Sequence, residues 1–246
     1  MRMMQVWGLT DVGLVRKDNQ DAFAVVQEQE SGAVFAVVCD GMGGVRGGGV
    51  ASRIAVDTYV AELRKVLRGD MTAEQLKEAS SYAVALANRA VYLAAQEQYH
   101  GMGTTLVSAI GYGGGVVVSN VGDSRAYRIS SDGIQRITKD HSLVEDLLAR
   151  GDITAEEARR HPNRNVITRA LGPEESEICD GFICPLKPGE YILLCTDGLV
   201  DTVSDQEILF EVIHNEDTVS CLDRLLAISK SRGAADNVTA VLMKML

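Results

Sequence analysis

The chain has 246 residues, of which 46% are hydrophobic, and a net charge of −10 from 34 acidic and 24 basic residues. This is enough apolar material for a sizeable core, and it excludes a non-specific nucleic-acid binder, which needs a basic face. Phosphate chemistry stays open, because metal ions can supply the positive charge.

Residues 3–10 and 22–29 read as strands, and the apolar run 33–39 (AVFAVVC) reads as a buried one, with Glu30-Ser31-Gly32 before it marking a hairpin. Asp40-Gly41-Met42-Gly43-Gly44 closes that run and continues as a glycine-rich loop, with four glycines among residues 43–48. A helix over about 50–67 follows, with Val56, Val60, Leu63 and Leu67 on one stripe. Gly69-Asp70 ends it. Thr72 and Gln75 then form a capping box for a second helix, in which Leu76, Ala79, Ala83, Leu86, Ala90 and Leu93 keep a helical seam. The two helices are expected as an antiparallel pair over one side of a sheet.

Strands at 104–112, 116–122, 125–130 and 134–138, separated by short glycine and serine turns, read as an antiparallel meander. Residues 142–160 suggest two short polar helices broken at Gly151-Asp152, the second capped by Thr154 and Glu157, a composition that suits a flap better than a second domain. Strands at 178–184 and 190–196, helices at about 205–214 and 218–232, and a strand at 237–245 complete the chain. The expected fold class is α+β: one domain over 1–246, a four-layer α-β-β-α sandwich of two mainly antiparallel sheets flanked by helix pairs, with a small helical flap.

The five cysteines (Cys39, Cys179, Cys184, Cys195, Cys221) show neither a C-x-x-C pair nor zinc spacing and read as reduced thiols. No stretch approaches the ~18–20 apolar residues that span a bilayer. The expectation is a soluble cytoplasmic protein. Trp7 reads as core, His100 and His214 as surface residues, and His141 as a group that orders a turn.

Five carboxylates stand at strand ends. Asp40 follows AVFAVVC, Asp197 follows YILLCT, Asp123 follows VVVSNVG, Asp236 precedes the last strand, and Asp21 precedes AFAVV. One such residue is an ordinary turn former. Five that converge repel each other unless protonated or bridged by cations, and an all-oxygen set without Cys or His favours Mg²⁺ or Mn²⁺ over Zn²⁺. Residue pattern alone leads to a possible metal-dependent hydrolase.

The wording around these residues is more specific. Gly13-Leu14-Val15-Arg16-Lys17-Asp18-Asn19-Gln20-Asp21, DGMGG at 40–44 and Gly103-Thr104-Thr105 resemble the PP2C-type (PPM) protein serine/threonine phosphatases, bacterial branch. So do Val121-Gly122-Asp123-Ser124-Arg125, Asp140-His141-Ser142, the segment 165–172, Cys195-Thr196-Asp197-Gly198-Leu199 and Asp236-Asn237-Val238-Thr239. The motifs run in family order over nearly the whole chain.

The resemblance implies a binuclear Mn²⁺ or Mg²⁺ centre and hydrolysis of phosphoserine and phosphothreonine by a metal-activated water. Asp40 would bridge the two ions and the Gly41 carbonyl would bind one of them. Asp197 and Asp236 would hold the other, with Asp21 supporting the cluster through a bound water. Asp123 would join Asp197 at a third ion, and Arg16 would grip the substrate phosphate. Residues about 143–165 would form the flap, with His161 where some relatives carry a substrate-contacting histidine. The partners implied are phosphorylated proteins, above all a Ser/Thr kinase and its substrates, with no nucleic acid, no membrane and a monomeric state. The pattern departs from the family at Val45 and Gly49, where bacterial relatives carry a histidine and an acidic residue. That departure leaves an alternative, a catalytically weak phosphopeptide-binding regulator on the same fold.

Overall fold

The structure is a computed structural model describing residues 4–28, 32–97, 99–215 and 218–246; the side chains of residues 44–46, 97 and 218 lie outside that description. The expected turn at Glu30-Ser31 and the side chain of Val45 therefore fall outside the described residues.

One antiparallel sheet has the spatial order β1 (Met4–Asp11), β11 (Val238–Met245), β10 (Tyr191–Cys195), β7 (Arg125–Ser130) and β8 (Gly133–Arg136). The other has β2 (Asp21–Gln27), β3 (Val34–Met42), β5 (Leu106–Tyr112), β6 (Gly115–Val121) and β9 (Asp180–Pro185), with β4 (Gly103–Thr104) paired to the end of β3. Helices α1 (Gly44–Val66) and α2 (Ala73–Glu97) cover the second sheet, and α6 (Asp205–His214) and α7 (Thr218–Ser231) cover the first.

The side-chain period of two explains why the central strands are apolar on consecutive residues. On β3, Phe35, Val37 and Cys39 pack under α1 and α2, while Ala36 and Val38 face the opposite sheet. On β10, Leu193 and Cys195 pack under α6 and α7, while Ile192 and Leu194 face inward. Three core layers thus separate four layers of structure, as expected. Each fully buried Leu or Ile contributes about 1.5–3 kcal/mol over an exposed one.

The structure corrects the sequence reading in three places. Helix α1 begins at Gly44, so the expected glycine loop at 43–49 is helical after Gly43. Tertiary packing outweighs the poor helix propensity of glycine here, because the absent side chains let backbones meet. The strands at 104–138 are not one meander: β5–β6 belong to one sheet and β7–β8 to the other, and the chain changes sheet at Gly122-Asp123-Ser124. Finally, the buried seam of α2 runs through Leu76, Ser80, Ala83, Val84, Ala87, Asn88 and Val91, and Leu93 is exposed. Polar Ser80 and Asn88 sit in that seam because partners satisfy them. Ser80 bonds Tyr59 and Ser119 at 2.8 and 2.7 Å, and Asn88 donates to the carbonyls of Glu174 and Glu175.

The flap consists of α3 (Leu143–Arg150) and α4 (Ala155–Arg160), separated by Gly151 in the left-handed conformation and capped by Ser142 and by the Thr154–Glu157 box. Trp7 is half-buried on the edge strand β1 and packs against the core under α6 and α7.

Candidate metal centre

Antiparallel pairing brings the start of β2 beside the end of β3, and the end of β10 beside the start of β11. In the first pair Asp21 is the register partner of Asp40. In the second, Asp197 opens the one-turn helix α5 (Asp197–Val200) directly after β10, and Asp236 stands just before β11. The two sheets meet through Asp21: its Oδ2 accepts from Thr196 Oγ1 at 3.0 Å and from Thr239 Oγ1 at 2.6 Å, both on the opposite sheet. Asp123 reaches the same end of the sandwich from the crossing between β6 and β7. The structure thus gathers all five candidate carboxylates.

Their supports come from neighbouring residues of the same sequence motifs. The Thr105 hydroxyl accepts the Asp40 N–H at 2.9 Å, and Thr104 Oγ1 and Thr105 N–H donate to the Asp40 carbonyl. Asn237 staples the 18–21 segment to the β11 entry. It accepts from Gln20 N at 2.8 Å and donates to the carbonyls of Val12 and Asp18 at 3.0 and 3.1 Å. A short polar side chain beside an apolar strand was the available signal for each. Gly41 meets α1 at Gly48: a Cβ on Gly41 would lie 2.1 Å from the Gly48 carbonyl oxygen, and one on Gly48 would lie 2.5 Å from the Gly41 oxygen. Neither position has room for a side chain.

Arg16 reaches across the rim, with Nη2 2.7 Å from Asp236 Oδ2. The bond to Asp236, with further attraction from Asp40 and Asp197, holds the guanidinium firmly in its charged form. The side chain is 55% exposed, so a solvent-borne anion can meet it.

Burial pushes the Asp21 carboxyl up to about 7 against the hydrogen bonds from Thr239 and Thr196, with Asp197 and Asp236 adding repulsion. Asp40 is driven well above the ordinary range by burial and then by Asp21, Asp197, Asp123 and Asp236. Burial, then Asp197 and Asp140, raise Asp123 to about 8. Burial, then Asp201 and Asp236, raise Asp197 to about 6 against hydrogen bonding to Asp40 and Gly198.

Oδ1 of Asp21 and Oδ1 of Asp197 are buried with no hydrogen-bond partner. A buried carboxylate oxygen left so is costly unless protonated or bound to a cation. Among the described residues no three His, Cys, Asp or Glu side chains already close around one point as a finished cage. An all-oxygen donor set with orphaned buried oxygens fits hard divalent cations.

A cleft of about 850 Å³ leads from Asp123 and Asp197 between the flap and the 200–206 segment, with Arg159, Arg164 and Asn165 on its flap side. The flap root is fastened behind Asp123. His141 Nδ1 accepts from Gly122 N at 3.0 Å, its backbone N–H donates to the Gly122 carbonyl, and its Nε2 lies 3.2 Å from Asp180 Oδ2. His141 therefore orders the turn, as expected. Arg125 makes a bidentate pair with Asp140 on the cleft wall, at 2.6–3.0 Å. The structure does not bring His161 into the cleft wall: it ends α4, and its Nδ1 accepts from Asn163 N at 3.1 Å.

The family model described as protein phosphatase 2C matches residues 15–243. The chain is 37% identical over 238 residues to the serine/threonine phosphatase Stp of Listeria innocua, covering 96% of this chain and 93% of that one. It superposes on the crystal structure of serine/threonine phosphatase Stp1 from Staphylococcus aureus with a TM-score of 0.92 and 37% identity, covering 99% and 96% of the two chains. It is also similar to the catalytic domain of the serine/threonine protein phosphatase PstP in complex with two manganese ions, with a TM-score of 0.85 and 30% identity over the whole of both chains. On the family match and these identities, this chain belongs to the protein phosphatase 2C family.

Proposed function

We propose that the chain is a metal-dependent protein phosphatase that removes phosphate from phosphoserine and phosphothreonine, reversing a Ser/Thr kinase of the same cell. The observation that carries this reading is the Asp21–Asp40 pair at the joined ends of two sheets, with orphaned buried oxygens on Asp21 and Asp197. Two Mn²⁺ or Mg²⁺ ions, when bound, offset the charge of the phosphoester and activate the attacking water.

Asp40 and the Gly41 carbonyl would hold one ion, and Asp40, Asp197 and Asp236 would hold the other. Asp21 orients a water in the cluster while Thr196 and Thr239 hold its second oxygen. Asp123 and Asp197, which both line the cleft, would supply a third, weaker site at its mouth. Arg16 exchanges its bond to Asp236 for the substrate phosphate, whose oxygens suit a guanidinium fork. No side-chain nucleophile is required. With every carboxylate in place, the non-catalytic regulator has no observation in its favour.

We also infer a cytoplasmic monomer. All five cysteines are free, which suits a reducing compartment, and no described helix is long and apolar enough to cross a membrane. The test is hydrolysis of p-nitrophenyl phosphate and of a phosphoserine peptide with Mn²⁺. Turnover that EDTA abolishes and Mn²⁺ restores supports the reading; undiminished turnover in Asp40→Asn contradicts it.

A further inference from the structure

Beside Arg16 the chain exposes two adjacent apolar side chains, Leu14 at 60% and Val15 at 68%. Single exposed apolar residues are ordinary on protein surfaces. This pair differs in three respects. It lies in an irregular segment between β1 and β2, where no strand pairing or core asks for a branched aliphatic residue and polar residues would be tolerated equally. The segment is pinned: Gly13 N donates to Asp11 Oδ1 at 2.9 Å and Leu14 N to the Ala234 carbonyl at 2.9 Å. Gly13 itself has φ +76° and abuts the Asp236 backbone, so a Cβ there would come within 2.3 Å of the Asp236 oxygen. And the pair directly precedes the residue whose guanidinium lies 2.7 Å from Asp236. The apolar pair therefore sits in a hydrogen-bonded turn directly before the residue that meets the carboxylate cluster.

We infer that Leu14 and Val15 form a shelf for an apolar side chain within two residues of the phosphorylated serine or threonine of a substrate protein. This rests on the phosphatase reading of the same site. A phosphate held by Arg16 brings its flanking residues to this rim, because consecutive Cα atoms are only about 3.8 Å apart. An extended substrate strand turns alternate side chains to one side, so one neighbour of the phosphoresidue faces the rim. Burying an aliphatic side chain there releases water from both surfaces. It discriminates against a serine or aspartate at the same place by roughly tenfold or more. The shelf selects sequence context, and the carboxylates and Arg16 act on the phosphate whatever the context.

The test compares kcat/KM, with saturating Mn²⁺, for phosphoserine peptides carrying Leu, Ser or Asp at each of the two positions on either side. p-Nitrophenyl phosphate, which has no flanking residues, is the control. Native protein is expected to favour Leu at one or more positions by about tenfold, through KM. Leu14→Asn with Val15→Thr is expected to remove that preference and leave p-nitrophenyl phosphate turnover unchanged. Three outcomes overturn the proposal: peptides hydrolysed alike by native protein, a preference that survives the double substitution, or p-nitrophenyl phosphate turnover lost with it. A dimer of the native chain in sedimentation that the double substitution dissolves also overturns it, because the rim is then a contact between copies. If native protein shows no Mn²⁺-dependent turnover of p-nitrophenyl phosphate, the phosphatase reading falls first. Turnover with no preference among peptides removes the shelf alone.

Discussion

Asp21 and Asp40 sit opposite each other on β2 and β3, two carboxylates in register at the buried end of a sheet. Like charges directly opposite on neighbouring strands destabilise a sheet. Thr196 and Thr239, reached across the sandwich, satisfy one oxygen of Asp21 and leave Oδ1 with no partner. The fold accepts this cost where a cation would remove it. Asp40→Asn is thus expected to have opposite effects on stability and activity. At a pH high enough to ionise Asp40, the metal-free variant should melt a few degrees higher than metal-free native protein, because one buried charge is gone, while turnover falls by roughly 100-fold or more. Calorimetry in EDTA and a phosphopeptide assay check the two halves. A lower melting temperature in EDTA contradicts the repulsion argument.

The same repulsion sets a pH dependence. Without metal, burial first and neighbouring charges second raise Asp21 to about 7, Asp123 to about 8 and Asp197 to about 6. A carboxyl raised above its unfolded value favours folding when protonated. Its contribution is complete below about pH 3.9 and is lost as pH rises through the folded-state values. Metal-free protein should therefore lose thermal stability progressively between about pH 4 and pH 8, and saturating Mn²⁺ should abolish most of that loss. Melting curves with Mn²⁺ or EDTA at each pH are the check. A gap between them that does not widen with pH contradicts the prediction.

Gly41→Ala and Gly48→Ala should each destabilise by about 1–3 kcal/mol, because a new Cβ meets backbone at 2.1 and 2.5 Å. Gly49 is different: a Cβ there meets nothing nearer than 3.7 Å. Gly49→Ala should leave stability within about 1 kcal/mol or raise it, by the better helix propensity of alanine. Urea denaturation of the three variants tests the contrast, and equal losses at all three positions contradict the close-approach account.

Asn237→Ala removes one acceptor and two donors at a site 5% exposed, breaking the bonds to Gln20 N–H and to the carbonyls of Val12 and Asp18. The expected cost is about 2–3 kcal/mol. Activity should fall beyond what unfolding explains, because the staple joins the Arg16–Asp21 segment to Asp236. Kinetics at a temperature where the variant is fully folded separate the two effects.

The carboxylates were legible in the sequence because each ends or begins an apolar strand, and antiparallel pairing brings such ends together. The Thr72–Gln75 and Thr154–Glu157 boxes marked helix starts correctly, since capping is a local interaction. What escaped depends on contacts distant in sequence. Helix α1 begins among glycines because Gly41 and Gly48 touch. The α2 seam includes Ser80 and Asn88 because Tyr59, Ser119 and the 174–175 carbonyls satisfy them. The chain passes from one sheet to the other at Asp123, which no local period records. The short helix α5 at Asp197 has no counterpart among the expected elements, because four residues carry no helical period.

Asp123→Ala should weaken catalysis while leaving the two central ions bound, since Asp123 reaches the cluster from the sheet crossing and lines the cleft mouth with Asp197. A crystal structure of that variant with manganese checks the prediction. Loss of the ions at Asp40 and Asp236 contradicts it.

The most direct measurement is anomalous diffraction at the manganese edge from crystals of the native protein grown with Mn²⁺. Two strong peaks are predicted within the carboxylate cluster, both contacted by Asp40, one of them also by Asp197 and Asp236. Crystals with no anomalous peak among Asp21, Asp40, Asp197 and Asp236 at saturating Mn²⁺ would contradict the account at its centre.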